Sequence, residues 1–80
     1  MVKIEVLGTG CAKCSMTYAN VLNAVNEMGI EVEVVRVEDI NAIADRGVML
    51  TPALIVDGVL RAEGRIPCVE EIKEMIRGTS

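Results

Sequence analysis

The chain has 80 residues, enough for one small domain, and 51% of them are hydrophobic, with Tyr18 the sole aromatic. A net charge of −4 and that single ring argue against nucleic-acid binding, whether through basic patches or stacked bases, and against anionic membrane surfaces. Three cysteines is an odd number for a secreted disulfide scaffold, the opening Met1-Val2-Lys3-Ile4-Glu5 puts charges where a signal peptide needs an apolar run, and no stretch reaches the length of a membrane span, so the cytoplasm is the expected compartment.

Val2, Ile4 and Val6 alternate with Lys3 and Glu5, and Leu7 extends the run, which predicts a first strand. Gly8-Thr9-Gly10 reads as a flexible turn. From Cys11 to Met28, Cys14, Tyr18, Val21, Leu22, Val25 and Met28 fall at spacings of three and four and predict a helix, with Gly29 at its C′ position. Glu31 to Val37 has the period of a second strand. Asp39 suits the N-cap of a short helix carrying Ile40, Ile43 and Ala44, closed by Arg46 and Gly47. Thr51-Pro52-Ala53-Leu54-Ile55-Val56 reads as a third strand with its proline at the start, where a missing donor does least harm. Asp57-Gly58 is a type I′ hairpin signal, and Val59 to Ala62 returns as a fourth strand. Gly64 opens a turn, and Val69, Ile72 and Ile76 form the stripe of a last helix ended by Gly78.

The order is β-α-β-α-β-β-α: one α/β domain over residues 1–80, with a four-stranded mixed sheet and three helices. Helical crossovers would make the first three strands parallel, with the hairpin adding one antiparallel edge.

Chemistry concentrates at Cys11-Ala12-Lys13-Cys14. A CxxC between a strand and a helix places both thiols at the helix N-terminus, where the dipole favours thiolate. Cys11, the more exposed by helix position, is the candidate nucleophile. Cys14, one turn in on the apolar face, is the candidate resolving thiol, and Lys13 adds a nearby positive charge. A structural zinc site is disfavoured, since it usually needs four ligands and this chain has no histidine and only Cys68 besides the pair.

The element order, the CxxC after the first strand, the Thr51-Pro52 opening the third strand and Gly64 before the last helix together resemble the thioredoxin fold over nearly the whole chain. The length and the Gly-Thr-Gly-Cys-x-x-Cys start are most similar to glutaredoxin-like small thioredoxins, the redox-active disulfide proteins of archaea and bacteria. Gly10 stands where typical thioredoxins carry Trp, and Ala12-Lys13 where they carry Gly-Pro. The resemblance implies a protein-disulfide reductase without a bound cofactor. Its substrates would be disulfide-bearing proteins, and a flavin-dependent thioredoxin reductase or glutathione would supply electrons. It also implies a cis Thr51–Pro52 bond whose backbone pairs with substrate, aided by Gly64, and supporting places for Gly10, Ala12 and Lys13. A monomer is expected.

Four readings stay open on the sequence. Glu5, six residues before Cys11, has the spacing of the buried acid of typical thioredoxins, but the alternation favours a solvent-facing residue. Cys68, in an N-cap context with Glu71 at N3, is either a third reactive thiol or a tolerated small residue. Met16, Tyr18, Met49 and Leu50 either ring the thiols as an apolar docking patch or pack as ordinary core. Finally, heavy-metal-associated domains share the size and the CxxC, so a copper-type chaperone is the alternative function. Their Met two residues before the first Cys is Thr9 here, and their βαββαβ order leaves Thr51-Pro52 unexplained.

Overall fold

A computed structural model describes residues 2–9 and 12–78. Its elements are β1 (Val2–Leu7), α1 (Ala12–Met28), β2 (Val32–Val37), α2 (Ile40–Asp45), β3 (Ala53–Val56), β4 (Val59–Glu63) and α3 (Val69–Arg77). The strands form one mixed sheet in the order β2-β1-β3-β4. Local chemistry sets the boundaries much as expected. Asp39 caps α2 by accepting a hydrogen bond from the Asn41 N–H at 2.9 Å. Asp57 and Gly58 both take positive φ, 49° and 81°, as a type I′ turn requires.

One expectation fails. β1 and β2 are parallel, but β3 runs antiparallel to β1. Helix length explains the difference. Leu7 at the end of β1 pairs with Val37 at the end of β2 and with Ala53 at the start of β3, so the α2 connection leaves and re-enters at the same end of the sheet. The 17 residues of α1 advance ~25 Å, enough to carry the chain back along a strand of ~20 Å, whereas the six of α2 advance only ~9 Å.

The sheet is covered on both faces. On one, Ile4, Val6, Leu54 and Val56 pack under α1 and α3, against Val21 and Ile72 among others. On the other, Leu7, Ala53 and Ile55 meet Ile43 of α2 and Val48. Because β1 is sandwiched, Ile4, Glu5, Val6 and Leu7 are all buried, and the alternation that would send Glu5 to solvent does not apply. No helix among the described residues is long and apolar enough to cross a membrane.

Candidate active site

The ends of β1 and β2, the start of β3 and the first turn of α1 meet at one end of the sheet. Gly8 extends the β1–β2 ladder there, its N–H donating to the Val37 carbonyl at 2.9 Å. Cys14 projects from α1 onto this glycine and is 2% exposed. A Cβ built on Gly8 would lie 2.0 Å from Cys14 Sγ and 2.9 Å from its Cβ, with Thr51 Cβ 3.9 Å away. Gly8 is thus a bare strip of backbone between the thiol and Thr51. Gly8 was expected only as a flexible turn, and its sequence context carries no signal that separates a close approach from a turn. Ala12 and Lys13 are exposed in the first turn of α1, and the Lys13 carbonyl accepts from the buried Thr17 hydroxyl at 2.9 Å. Gly10 and Cys11 lie outside the described residues.

Across Gly8 stands Thr51-Pro52. The bond between them is cis, Pro52 is buried and Thr51 is exposed. The Pro52 carbonyl accepts from the Gly64 N–H at 2.9 Å. Gly64 takes a φ of +73°, and a Cβ there would lie 3.1 Å from Leu50 Cβ and Cδ1, so both conformation and space call for glycine. The structure therefore brings Cys14, Thr51, Pro52 and Gly64 together at the same end of the molecule. Just before the proline, Glu63 Oε2 accepts from the Met49 and Leu50 N–H groups at 2.7 and 3.2 Å. The sequence reading gave Glu63 no role.

The apolar residues around this end divide. Tyr18 is half-buried against the α1–α3 core with the Arg36 guanidinium 5.0 Å from its ring centroid, so core packing holds for it. Met16, Met49 and Leu50 are exposed, as is Ile40, and for these packing does not account. A cleft of about 290 Å³ opens between α2 and the loop before Pro52, with Thr9, Ile40, Ile43, Val48, Met49 and Thr51 in its walls. None of the described residues in its walls is charged.

Glu5 corrects the expectation of a solvent-facing residue. It is 8% exposed on the α2 side of the sheet, opposite Ile55, and pairs with Arg46 at the end of α2. Arg46 Nη2 and Nε donate to Glu5 Oε1 at 2.6 and 3.2 Å. That hydrogen bond, with the charge behind it, raises the Arg46 pKa above its ordinary value. The sequence placed Arg46 merely as the close of α2, since residues 41 apart give no local sign of pairing. Cys68 is exposed and caps α3 without a side-chain hydrogen bond. It follows Pro67, whose carbonyl accepts from Asn20 of α1 at 3.0 Å. Glu71 is held by Arg65 and by the Cys68 backbone N–H, which lowers its pKa from the ordinary carboxylate value. Among the described residues, no group of three or more potential ligands is arranged to hold a metal ion.

The arrangement offers a buried thiol in a first helical turn, where the dipole stabilises negative charge, beside the exposed Thr51 on the approach to β3. Comparison with known proteins adds to this geometry. A family model described as a thioredoxin domain matches residues 2–77. The chain is 52% identical over 77 residues to a thioredoxin of Methanocaldococcus jannaschii, covering 96% of this chain and 88% of that one. It is 41% identical over 76 residues to a thioredoxin of Methanothermobacter thermautotrophicus, covering 95% and 99%. Among solved structures it is similar to thioredoxin-2 of a malaria parasite, described as a component of the parasite's protein secretion machinery, with a TM-score of 0.76 and 13% identity over 98% of this chain and 82% of that one. A second malarial protein gives a TM-score of 0.75 at 13% identity, over 98% and 96%. These two likenesses are of fold.

Proposed function

The chain belongs to the thioredoxin-domain family, and from that premise we propose that it is a small thiol–disulfide oxidoreductase that reduces protein or mixed disulfides through Cys11 and Cys14. The Cys11 thiolate attacks one sulfur of a substrate disulfide. The substrate S–S bond breaks, a Cys11–substrate bond forms and the first substrate thiolate leaves. The Cys14 thiolate then attacks the Cys11 sulfur, expelling the second substrate thiolate. Two electrons pass to the substrate, the Cys11–Cys14 disulfide remains, and the two protons of the former dithiol balance the two product thiolates. The substrate chain lies along Thr51, pairing with its backbone as an added strand.

The observation that supports this reading best is the seat of Cys14: its sulfur packs against the bare backbone of Gly8, beside Thr51 and the cis proline. The cleft next to Thr51, whose described lining residues are all uncharged, suits a polypeptide segment better than the two carboxylates of glutathione. It therefore favours protein substrates, and a flavin-dependent thioredoxin reductase over glutathione as the electron donor. On this reading the domain carries no resident cofactor and works as a monomer in the cytoplasm, in electron transport and cell redox homeostasis. The element order and the family match support dithiol exchange over the soft-metal chaperone.

The test is a redox titration of metal-free protein, with mass spectrometry to locate the bond, beside Cys→Ser variants. A reversible Cys11–Cys14 disulfide with a potential between ~−300 and −180 mV is expected. Cys11→Ser abolishes disulfide reduction and Cys14→Ser traps mixed disulfides through Cys11. A pair that never cycles but holds Cu(I) tightly would transfer the reading to metal carriage.

A further inference from the structure

The segment that leads into Thr51-Pro52 has little apolar burial to fix it. Met49 is 89% exposed and Leu50 62%. Its backbone is held instead by the end of β4. Glu63 Oε2 takes the N–H groups of Met49 and Leu50, and the next residue, Gly64, donates its N–H to the Pro52 carbonyl. Two consecutive residues, the last of edge strand β4 and the one that follows it, thus grip the chain on both sides of Thr51. An ionised carboxylate makes shorter and stronger hydrogen bonds than a neutral acceptor, so this grip depends on charge as well as shape.

The reach of Glu63 comes from an irregularity in the sheet. Val56 pairs with Val59 and Ile55 with Leu60, but Leu54 pairs with Ala62, so Arg61 is an extra residue in β4. One added residue exchanges the two faces of everything beyond it. Ala62 is thereby delivered to the α1–α3 core, and Glu63 to the α2 side, where residues 48–51 run. In unbroken register Glu63 would stand opposite Pro52 instead of Ala53, on the wrong face for those amides.

We propose that Glu63 is a positioning residue for polypeptide substrates. Its carboxylate fixes the Met49–Leu50 segment so that the Thr51 backbone is presented ready to pair, and it governs affinity for protein disulfides rather than the reactivity of the thiols. The proposal rests on the disulfide-reductase reading above. Glu63 acts on the loop backbone, through the N–H groups of Met49 and Leu50. Its effect passes through the loop and should grow with the length of substrate backbone that the loop must hold.

The experiment compares wild type, Glu63→Ala and Glu63→Gln on two disulfides, with dithiothreitol as reductant for the first. Insulin represents a polypeptide disulfide, and 5,5′-dithiobis(2-nitrobenzoate) a small one with no backbone to pair. Glu63→Ala is expected to raise the insulin KM ~10-fold, equivalent to about 1.4 kcal/mol, with kcat nearly unchanged and the small-disulfide rate reduced less than about twofold. Glu63→Gln keeps an acceptor oxygen without the charge and falls between. Amide hydrogen exchange on the same proteins should quicken at Met49 and Leu50 in Glu63→Ala and stay slow at Ile4 and Leu54, which separates a loosened loop from a loosened fold. A wild-type insulin KM in Glu63→Ala, or equal losses on both disulfides, would overturn the positioning role. A wild-type protein inert on both substrates would overturn the reductase reading itself.

Discussion

Gly8→Ala tests the packing on which the site depends. The new methyl carbon would sit 2.0 Å from Cys14 Sγ and 2.9 Å from Cys14 Cβ, and ordinary contact begins near 3.4 Å. The sulfur must therefore move by about 1.4 Å or the end of β1 must give way. The β1 end is held by its pairing with both β2 and β3, and Cys14 by the first turn of α1, so neither moves freely. Overpacking of a closed site costs ~1–3 kcal/mol, and about 2 kcal/mol in an 80-residue domain lowers Tm by roughly 8–16 °C. The same displacement should reach the chemistry, since a ~1 Å misplacement of a reacting group costs on the order of 100-fold in rate. With Cys14 as the resolving thiol, the mixed disulfide then persists, and rapid acid quench with mass spectrometry should find the Cys11–substrate adduct in the wild-type sequence context plus Gly8→Ala alone. Thermal melts in two backgrounds isolate the cause. In Cys14→Ala the sulfur is gone and only the 2.9 Å approach to Cβ remains, so Gly8→Ala should cost at least ~1 kcal/mol less there. An equal cost in both backgrounds, or wild-type stability of Gly8→Ala, would refute the close seat of the sulfur.

Three further outcomes are expected. Gly64→Ala forces a side chain into φ +73° and against Leu50, and should destabilise by roughly 1–2 kcal/mol in urea unfolding, with a neutral result counting against that conformation. Arg46→Ala strips Glu5 of its guanidinium partner and should lower the urea midpoint. The double variant with Glu5→Gln should lose less than the two single losses combined, because the orphaned carboxylate is removed with its partner, and strict additivity would deny the coupling. Glu71 is held below its ordinary value of 4.5, chiefly by Arg65, so its contribution is present above that value and is lost as pH falls through the lowered one. Melts of wild type and Glu71→Gln should differ at about pH 6 and converge towards about pH 3, by a small amount because the pair is exposed, and a gap that widens on acidification would reverse the assignment.

Much of this molecule is legible without coordinates, because much of it is local. A period of 3.6 or 2, an aspartate before a helix and an Asp-Gly between two apolar runs each act within a few residues. They place all seven elements, the Asp39 cap and the Asp57-Gly58 turn. The Cys11-to-Cys14 spacing, Thr51-Pro52 and Gly64 likewise mark the candidate site as short motifs. What the sequence leaves undecided involves contacts between different elements, most of them far apart along the chain. The direction of β3 depends on whether α2 is long enough to recross the sheet, and six residues are not. Glu5 is buried because β1 is covered on both faces and Arg46, 41 residues away, reaches it. Glu63 finds the Met49 and Leu50 amides only because one extra residue in β4 exchanges the faces of that strand. Gly8 must lack a side chain because a helix begun four residues later turns the Cys14 sulfur back onto it. Periodicity and capping are properties of a segment and can be read from its own residues. Contact between segments depends on how lengths, registers and faces combine in space, which the folded chain alone fixes.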